Sequence, residues 1–175
     1  WVKERIRSGD TTALRTMADR WVKLLRQLQD AQVAHGDLQH GNVLVKNGEL
    51  LLVDYDCMYV PTLAGQPAPE KGLPAYQHPR RLSEPAGQPL SPDLDHFSAW
   101  IIWLSLRALA ALPRLYEDHV EKTENENLLF TSKNLTEPLP SPLWGKLLDR
   151  AFPDAEVRHW AQKLRASLDG SFEDI

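Results

Sequence analysis

Residues 97 to 112 read Phe-Ser-Ala-Trp-Ile-Ile-Trp-Leu-Ser-Leu-Arg-Ala-Leu-Ala-Ala-Leu. At helical spacing the apolar side chains fall on every face, so a helix here has no side to offer to water and must be enclosed by the rest of the chain. That requirement rules out a peripheral helix. It makes the segment from Asp93 to Leu112, stopped by Pro113, the central pillar of the expected fold. The run is not a membrane span: Ser98, Ser105 and Arg107 interrupt it, and it falls short of the roughly 20 apolar residues that cross a bilayer.

The elements that would enclose it can be read from spacing and turn chemistry. From Asp10 onward, Leu14, Met17, Ala18, Trp21, Val22, Leu25 and Leu28 recur at helical intervals, with Asp10 and Thr11 as N-caps, predicting one amphipathic helix to about Asp30. Val43-Leu44-Val45 and Leu50-Leu51-Leu52-Val53 flank Asn47-Gly48, the pair that suits a type I′ turn, so a β-hairpin is expected with Asp54 at its exit. Residues 57 to 92 carry most of the prolines and glycines, predicting a long loop without regular structure. A short helix is expected somewhere in Arg114 to Asn127, and Pro138, Pro140 and Pro142 mark a connector. Two amphipathic helices, Leu143 to Phe152 and Asp154 to Leu168, close the chain. The expected fold class is mainly α: a helical bundle around a buried central helix, with a small β-hairpin.

Charge and cysteine content narrow the function classes. The 20 Lys and Arg are scattered among 24 acidic residues for a net charge of -4, which argues against nucleic acid as a partner. Cys57 is the lone cysteine, so no internal disulfide can form, and Trp1 to Asp10 lack the pattern of a secretion leader. A reducing, cytoplasmic setting without a membrane span is the expectation, and Cys57 reads as a small buried hydrophobe.

The loop before the hairpin reads His35-Gly36-Asp37-Leu38-Gln39-His40-Gly41-Asn42, and the hairpin runs out through Val53-Asp54-Tyr55-Asp56. An acid, an amide and a second acid thus gather at one end of a small scaffold. Carboxylate and amide oxygens are hard ligands of the kind that hold Mg²⁺ together with phosphate oxygens, and the remaining carboxylate can orient a hydroxyl nucleophile.

At these residues the chain resembles the C-terminal lobe of the protein kinase superfamily, whose catalytic loop places an Asn five positions after its Asp and whose metal motif follows the strand pair. The resemblance implies that Asp37 accepts or orients the proton of the substrate hydroxyl. Asn42 and Asp54 would then hold Mg²⁺ on the phosphates of ATP, with Gln39 beside them at the nucleotide. Gly72-Leu73-Pro74-Ala75-Tyr76-Gln77-His78-Pro79 is similar to the end of a protein kinase activation segment, so Gly72, Pro74, Tyr76 and Pro79 would form a substrate-positioning loop. Asp95-His96-Phe97-Ser98 resembles the start of the family's buried helix, whose Asp accepts hydrogen bonds from the catalytic-loop backbone; Asp95 would support the site, and His35 would brace the loop. Leu147 to Arg158 resembles the family's late helical stretch. By this resemblance, residues 1 to 175 are expected to be the substrate-binding, catalytic-loop lobe. The glycine-rich turn and strand Lys that grip ATP occur nowhere in the chain, so the ATP-gripping lobe is expected outside it and the isolated segment is expected to turn over negligibly.

Several positions depart from the family pattern. Gly36 replaces the loop Arg, Gln39 stands where a Lys is common, and Arg80 takes the place of a Glu that would pair with Arg158. Asp56 replaces the Gly of the metal motif, as a further metal ligand or a solvated acid. The expected activity is transfer of the ATP γ-phosphoryl group to a protein Ser/Thr hydroxyl, with an unidentified protein substrate or regulator as partner. Two alternatives stay open: a small-molecule kinase of the aminoglycoside or choline phosphotransferase type, which also carries His-Gly-Asp, and a pseudokinase acting as an interaction module. A zinc site from His35, Asp37 and His40 fits on ligand type, although no second ligand cluster accompanies it.

Overall fold

A computed structural model describes residues 1–83 and 89–169. The apolar run forms α4 (His96–Ala111), whose Phe97, Ile101, Leu104, Ala108 and Leu109 are fully or almost fully buried. The main chain of Leu112 closes it, with Pro113 next. Its closest neighbour is α2 (Thr11–Asp30), capped by the Asp10 side chain accepting from Ala13 N–H at 3.0 Å. Leu14, Met17, Ala18 and Trp21 of α2 are buried, and Trp21 Nε1 donates to Ala99 O at 3.0 Å, tying the first turn of α4 to α2.

The described residues are predominantly helical, with one two-stranded sheet among them. Strands β1 (Val43–Lys46) and β2 (Glu49–Leu52) pair antiparallel, Val43 opposite Leu52 and Lys46 opposite Glu49. Asn47 and Gly48 both have positive φ, 53° and 80°, as a type I′ turn demands. Val43, Val45, Leu50 and Leu52 pack on the core, while the cross-strand pair Leu44 and Leu51 faces outward.

At the far end, α8 (Ala155–Ser167) starts at the Asp154 cap, whose Oδ1 accepts from Glu156 and Val157 N–H. Asp154 Oδ2 meets Arg107 of α4 at 3.0 Å and Arg15 of α2 at 3.4 Å, so one carboxylate joins three helices. Burial opposes its charge, but the N–H groups and Arg107 outweigh that and hold its pKa below the usual carboxylate range. Trp160 of α8 meets Trp100 and Trp103 edge-on at 5.6 and 6.2 Å.

Some elements differ from the expectations. Residues 2 to 7 form a short helix, α1 (Val2–Arg7). The stretch 57–92 is not devoid of regular structure: it contains single turns at Pro61–Leu63 and Pro74–Tyr76 and the helix α3 (Pro79–Ser83), each with proline at the first position, where its missing N–H costs nothing. Residues 84–88 of that stretch lie outside the described residues. Its remainder folds back on itself, with Leu90 bonded to Gln66 and Gly65, around a small cluster of Ala34, Tyr59, Leu90 and Leu94. The short helix after Pro113 is α5 (Arg114–Tyr116), running into a wider turn at Glu117–Glu121. Helix α6 (Ser132–Thr136) carries a reciprocal cap between Thr131 and Asn134. The helix expected over 143–152 is only α7 (Pro142–Leu147), because the Asp149 side chain accepts Ala151 N–H at 2.9 Å and turns the chain out of the helix. No helix among the described residues is long and apolar enough to cross a membrane.

If α4 is the pillar, Leu104→Ala costs about 3 kcal/mol through the cavity it leaves. Leu139→Ala, at a side chain 88% exposed, changes stability by less than about 0.5 kcal/mol. Urea unfolding of the two variants measures the contrast.

Candidate functional site

The loop from Ala34 to Asn42 is held at both of its flanks. Ala34 exchanges backbone hydrogen bonds with Tyr59, at 3.2 and 2.8 Å, stitching the loop to the segment beyond the hairpin. Asp95, at the N-terminus of α4, makes no cap bond to its own helix. Instead its Oδ2 accepts His35 N–H at 2.5 Å and its Oδ1 accepts Gly36 N–H at 2.9 Å, both buried. Burial pushes the Asp95 carboxyl up, and the two N–H groups together with the charges of His35 and Arg81 counter it. The His35 ring supplies a third tie: Val53 O can only accept, so Nε2 carries the proton and donates at 2.9 Å.

Gly36 sits at φ +83°, and a Cβ there would collide with the carbonyl oxygen of Cys57. No side chain can stand at this position, which is the physical reason it is not an Arg. The same contact sets Cys57 directly across the loop. Burial raises the Cys57 thiol pKa, as do the charges of Glu70, Asp37, Asp54 and Asp56, which places these four carboxylates in one electrostatic neighbourhood.

Asp37 and Asn42 are coupled directly. Asn42 Nδ2 donates to Asp37 Oδ2 at 3.0 Å and to Asp37 O at 2.9 Å, which leaves its own Oδ1 turned away and available. Leu38, fully buried between them, anchors the loop in the core. Gln39 folds back, its Oε1 accepting Gly41 N–H at 2.7 Å and capping the turn at His40–Asn42. Asn42 O accepts Val53 N–H at 3.0 Å, so the loop and the hairpin exit are one hydrogen-bonded unit. Asp54 follows at φ 68°, a left-handed conformation that costs a non-glycine residue about 1–2 kcal/mol. Asp54, Tyr55 and Asp56 are exposed, and the Tyr55 ring lies 5.6 Å from His35.

The segment from Gly72 to Pro79 docks against this loop. Leu128 N–H donates to the Tyr76 hydroxyl at 3.0 Å, and that hydroxyl in turn bonds His40 Nδ1 at 2.9 Å, with the two rings stacked at 5.7 Å. Burial raises the Tyr76 pKa well above the ordinary phenol range. Pro74 opens the turn that carries Tyr76, Pro79 opens α3, and Gly72 lies against Asp37 Oδ1. Two participants carry no motif signal. Gln77 is buried beside Gly72, and Arg81, donating to Leu94 O at 3.3 Å, brings a cation within charge range of Asp95 and Asp37. Both arrive through the docking of the segment rather than through spacing.

The oxygens without a partner at this end of the site include Asn42 Oδ1, Asp37 Oδ1 and the exposed carboxylates of Asp54 and Asp56. Among the described residues no group of three or more His, Cys, Asp or Glu forms a metal cage. The zinc alternative is not assembled: His35, Asp37 and His40 do not come together as such a group among the described residues. Neither protein-family models nor curated protein sequences match the chain.

The Asp95 tie yields a direct expectation. Asp95→Ala strands two buried N–H groups and lowers stability by about 3 kcal/mol. Amide hydrogen exchange at His35 and Gly36 accelerates in the variant; unchanged exchange would show that the loop holds itself.

Proposed function

We propose that this chain is the catalytic-loop lobe of an ATP-dependent phosphotransferase of the protein kinase type, passing the γ-phosphoryl group to a protein Ser/Thr hydroxyl. The observation that carries the reading is the hold on Asp37: Asn42 grips one carboxylate oxygen, Asp95 pins the backbone immediately before it, and Oδ1 has no partner. A carboxylate fixed in orientation with one oxygen unused is what a hydroxyl base requires. The order of Asp37, Asn42, Asp54, Gly72–Pro79 and Asp95 along the chain, matched to family motifs in sequence, supports it.

In the transfer, Asp37 Oδ1 takes the hydroxyl proton as the hydroxyl oxygen bonds to the γ-phosphorus. The bond from that phosphorus to the bridging oxygen breaks, and its electron pair leaves on ADP. Mg²⁺, when bound, neutralises charge on the phosphates. Asn42 Oδ1 and Asp54 would hold it, with Asp56 as an additional oxygen. One amide and one or two carboxylates are a set that suits Mg²⁺, which keeps phosphate oxygens and waters in the rest of its shell. Asp54, strained at positive φ, is a residue whose conformation is maintained by the ties at Val53 on one side and the Cys57 contact on the other. Gln39, with its carbonyl committed to Gly41, contributes no cation.

A second reading, transfer to a small alcohol, is favoured by one observation: Gly36 is obligatory, and His-Gly-Asp also resembles the aminoglycoside and choline phosphotransferases. The docked Gly72–Pro79 segment favours the protein substrate.

The test is Mg²⁺-ATP turnover by the full-length protein, with phosphate transfer to itself, to dephosphorylated casein, to kanamycin and to choline. Asp54→Asn is expected to lower turnover by about 100-fold or more. Unchanged turnover would remove Asp54 from the site, transfer confined to kanamycin or choline would establish the second reading, and nucleotide binding without turnover would make the fold an interaction module.

A further inference from the structure

Among the buried polar atoms at the site without a partner are Asp37 Oδ1 and Gln77 Nε2. They belong to different segments, and they converge on one point. A Cβ at Gly72 would stand 2.8 Å from Asp37 Oδ1 and 2.5 Å from Gln77 Nε2, so the absent side chain of Gly72 is what lets both approach. Gly72 also takes φ +77°, which disfavours any other residue. Gln77 is 1% exposed, and the turn before it is pinned through the Tyr76 bonds to His40 and Leu128.

A buried carboxylate oxygen and a buried amide donor are each costly to leave alone. A hydroxyl satisfies both with a single atom, its proton going to the carboxylate and its lone pair accepting from the amide. An ammonium group would turn its protons against those of Gln77. A carboxylate or phosphate would bring negative charge onto Asp37.

We propose that Gln77 Nε2 and Asp37 Oδ1, across the α-carbon of Gly72, form a two-point receptor for the acceptor hydroxyl, so that Gln77 positions the acceptor and selects alcohols. The proposal rests on the phosphotransferase reading and deepens it. Both atoms are sealed from water here, so the acceptor enters as Gly72 and the exposed Leu73 lift from the loop, and the base stays dry until then. The N–H of Gln77 is aimed at the hydroxyl oxygen, which keeps its lone pair directed while the proton leaves for Asp37.

The experiment uses the full-length protein, Mg²⁺-ATP and dephosphorylated casein, with autophosphorylation followed in parallel. Gln77→Met keeps length and removes the donor; Gln77→Glu keeps polarity and places a second carboxylate beside Asp37. For Gln77→Met, kcat/KM for casein is expected to fall by about 10- to 100-fold, with KM for ATP and the thermal midpoint unchanged. The loss falls on kcat and on KM for casein together, since the amide both holds and orients the acceptor. Gln77→Glu, which removes the donor and sets a second carboxylate beside Asp37, lowers kcat/KM at least as far. A kcat/KM within twofold of wild type overturns the proposal, as does a loss that merely follows a lower thermal midpoint. Asp54→Asn, assayed alongside, separates the two claims. If it abolishes transfer while Gln77→Met does not weaken it, only the hydroxyl receptor fails. If Asp54→Asn is without effect, or the wild-type protein transfers phosphate to neither casein nor itself, both fail.

Discussion

Everything at the site hangs from the carboxylate of Asp95. It stands at the first turn of the buried helix, yet both of its oxygens are given to N–H groups of the loop that carries Asp37. The arrangement makes the least deformable element of the fold the reference frame for the loop. Helix α4 cannot shift without disturbing a core that includes Leu104, Leu109 and Trp21, and the loop cannot shift without stranding buried donors. A buried carboxylate is itself expensive, and its raised pKa records that cost. Two N–H donors and the nearby Arg81 offset it, so the tie is strong only while all of its members are present.

The second constraint is steric. Gly36 presses on the Cys57 carbonyl, and Asp54 is held in a left-handed conformation between that contact and the Val53 bonds to Asn42 and His35. The result is an exposed acidic mouth beside a partly buried, oriented Asp37. Like charges in one neighbourhood repel, and among the described residues no cluster of three or more metal-ligating side chains forms a cage there, so the arrangement suits a cation that arrives with a ligand of its own. This is the physical sense in which the geometry agrees with metal-assisted phosphoryl transfer. The segment from Gly72 to Gln77 closes the other side of Asp37, and it does so through Tyr76, whose hydroxyl joins the loop at His40 to the chain at Leu128.

Much of the scaffold was legible in the sequence because its signals are local. The all-round apolar character of residues 97 to 112, the spacing from Leu14 to Trp21, the Asp10 and Asp154 caps and the Asn47-Gly48 turn each specify an element with little help from elsewhere. Asp37, Asn42 and Asp54 were legible as chemistry-bearing types at one end of a hairpin. What was not legible depends on tertiary approach. Prolines in 57–92 read as breakers, whereas Pro61, Pro74 and Pro79 in fact begin helical turns. Asp149 diverted its helix through a side-chain bond that apolar spacing does not register. Gln77 stands in an ordinary polar position, and only the missing Cβ of Gly72, together with the docking of Tyr76, brings it opposite Asp37. The reason Gly36 must be glycine lies in Cys57, far along the chain.

In the proposed function, Asp37, Asn42 and Asp54 assemble around one metal–phosphate centre. Crystals of the full-length protein grown with Mn²⁺ and a non-hydrolysable ATP analogue test it directly, because anomalous scattering locates the metal. Mn²⁺ is expected on Asn42 Oδ1 and the Asp54 carboxylate, with Asp37 outside its shell and facing the γ-phosphate. A nucleotide whose metal lies away from both Asn42 and Asp54 would contradict it.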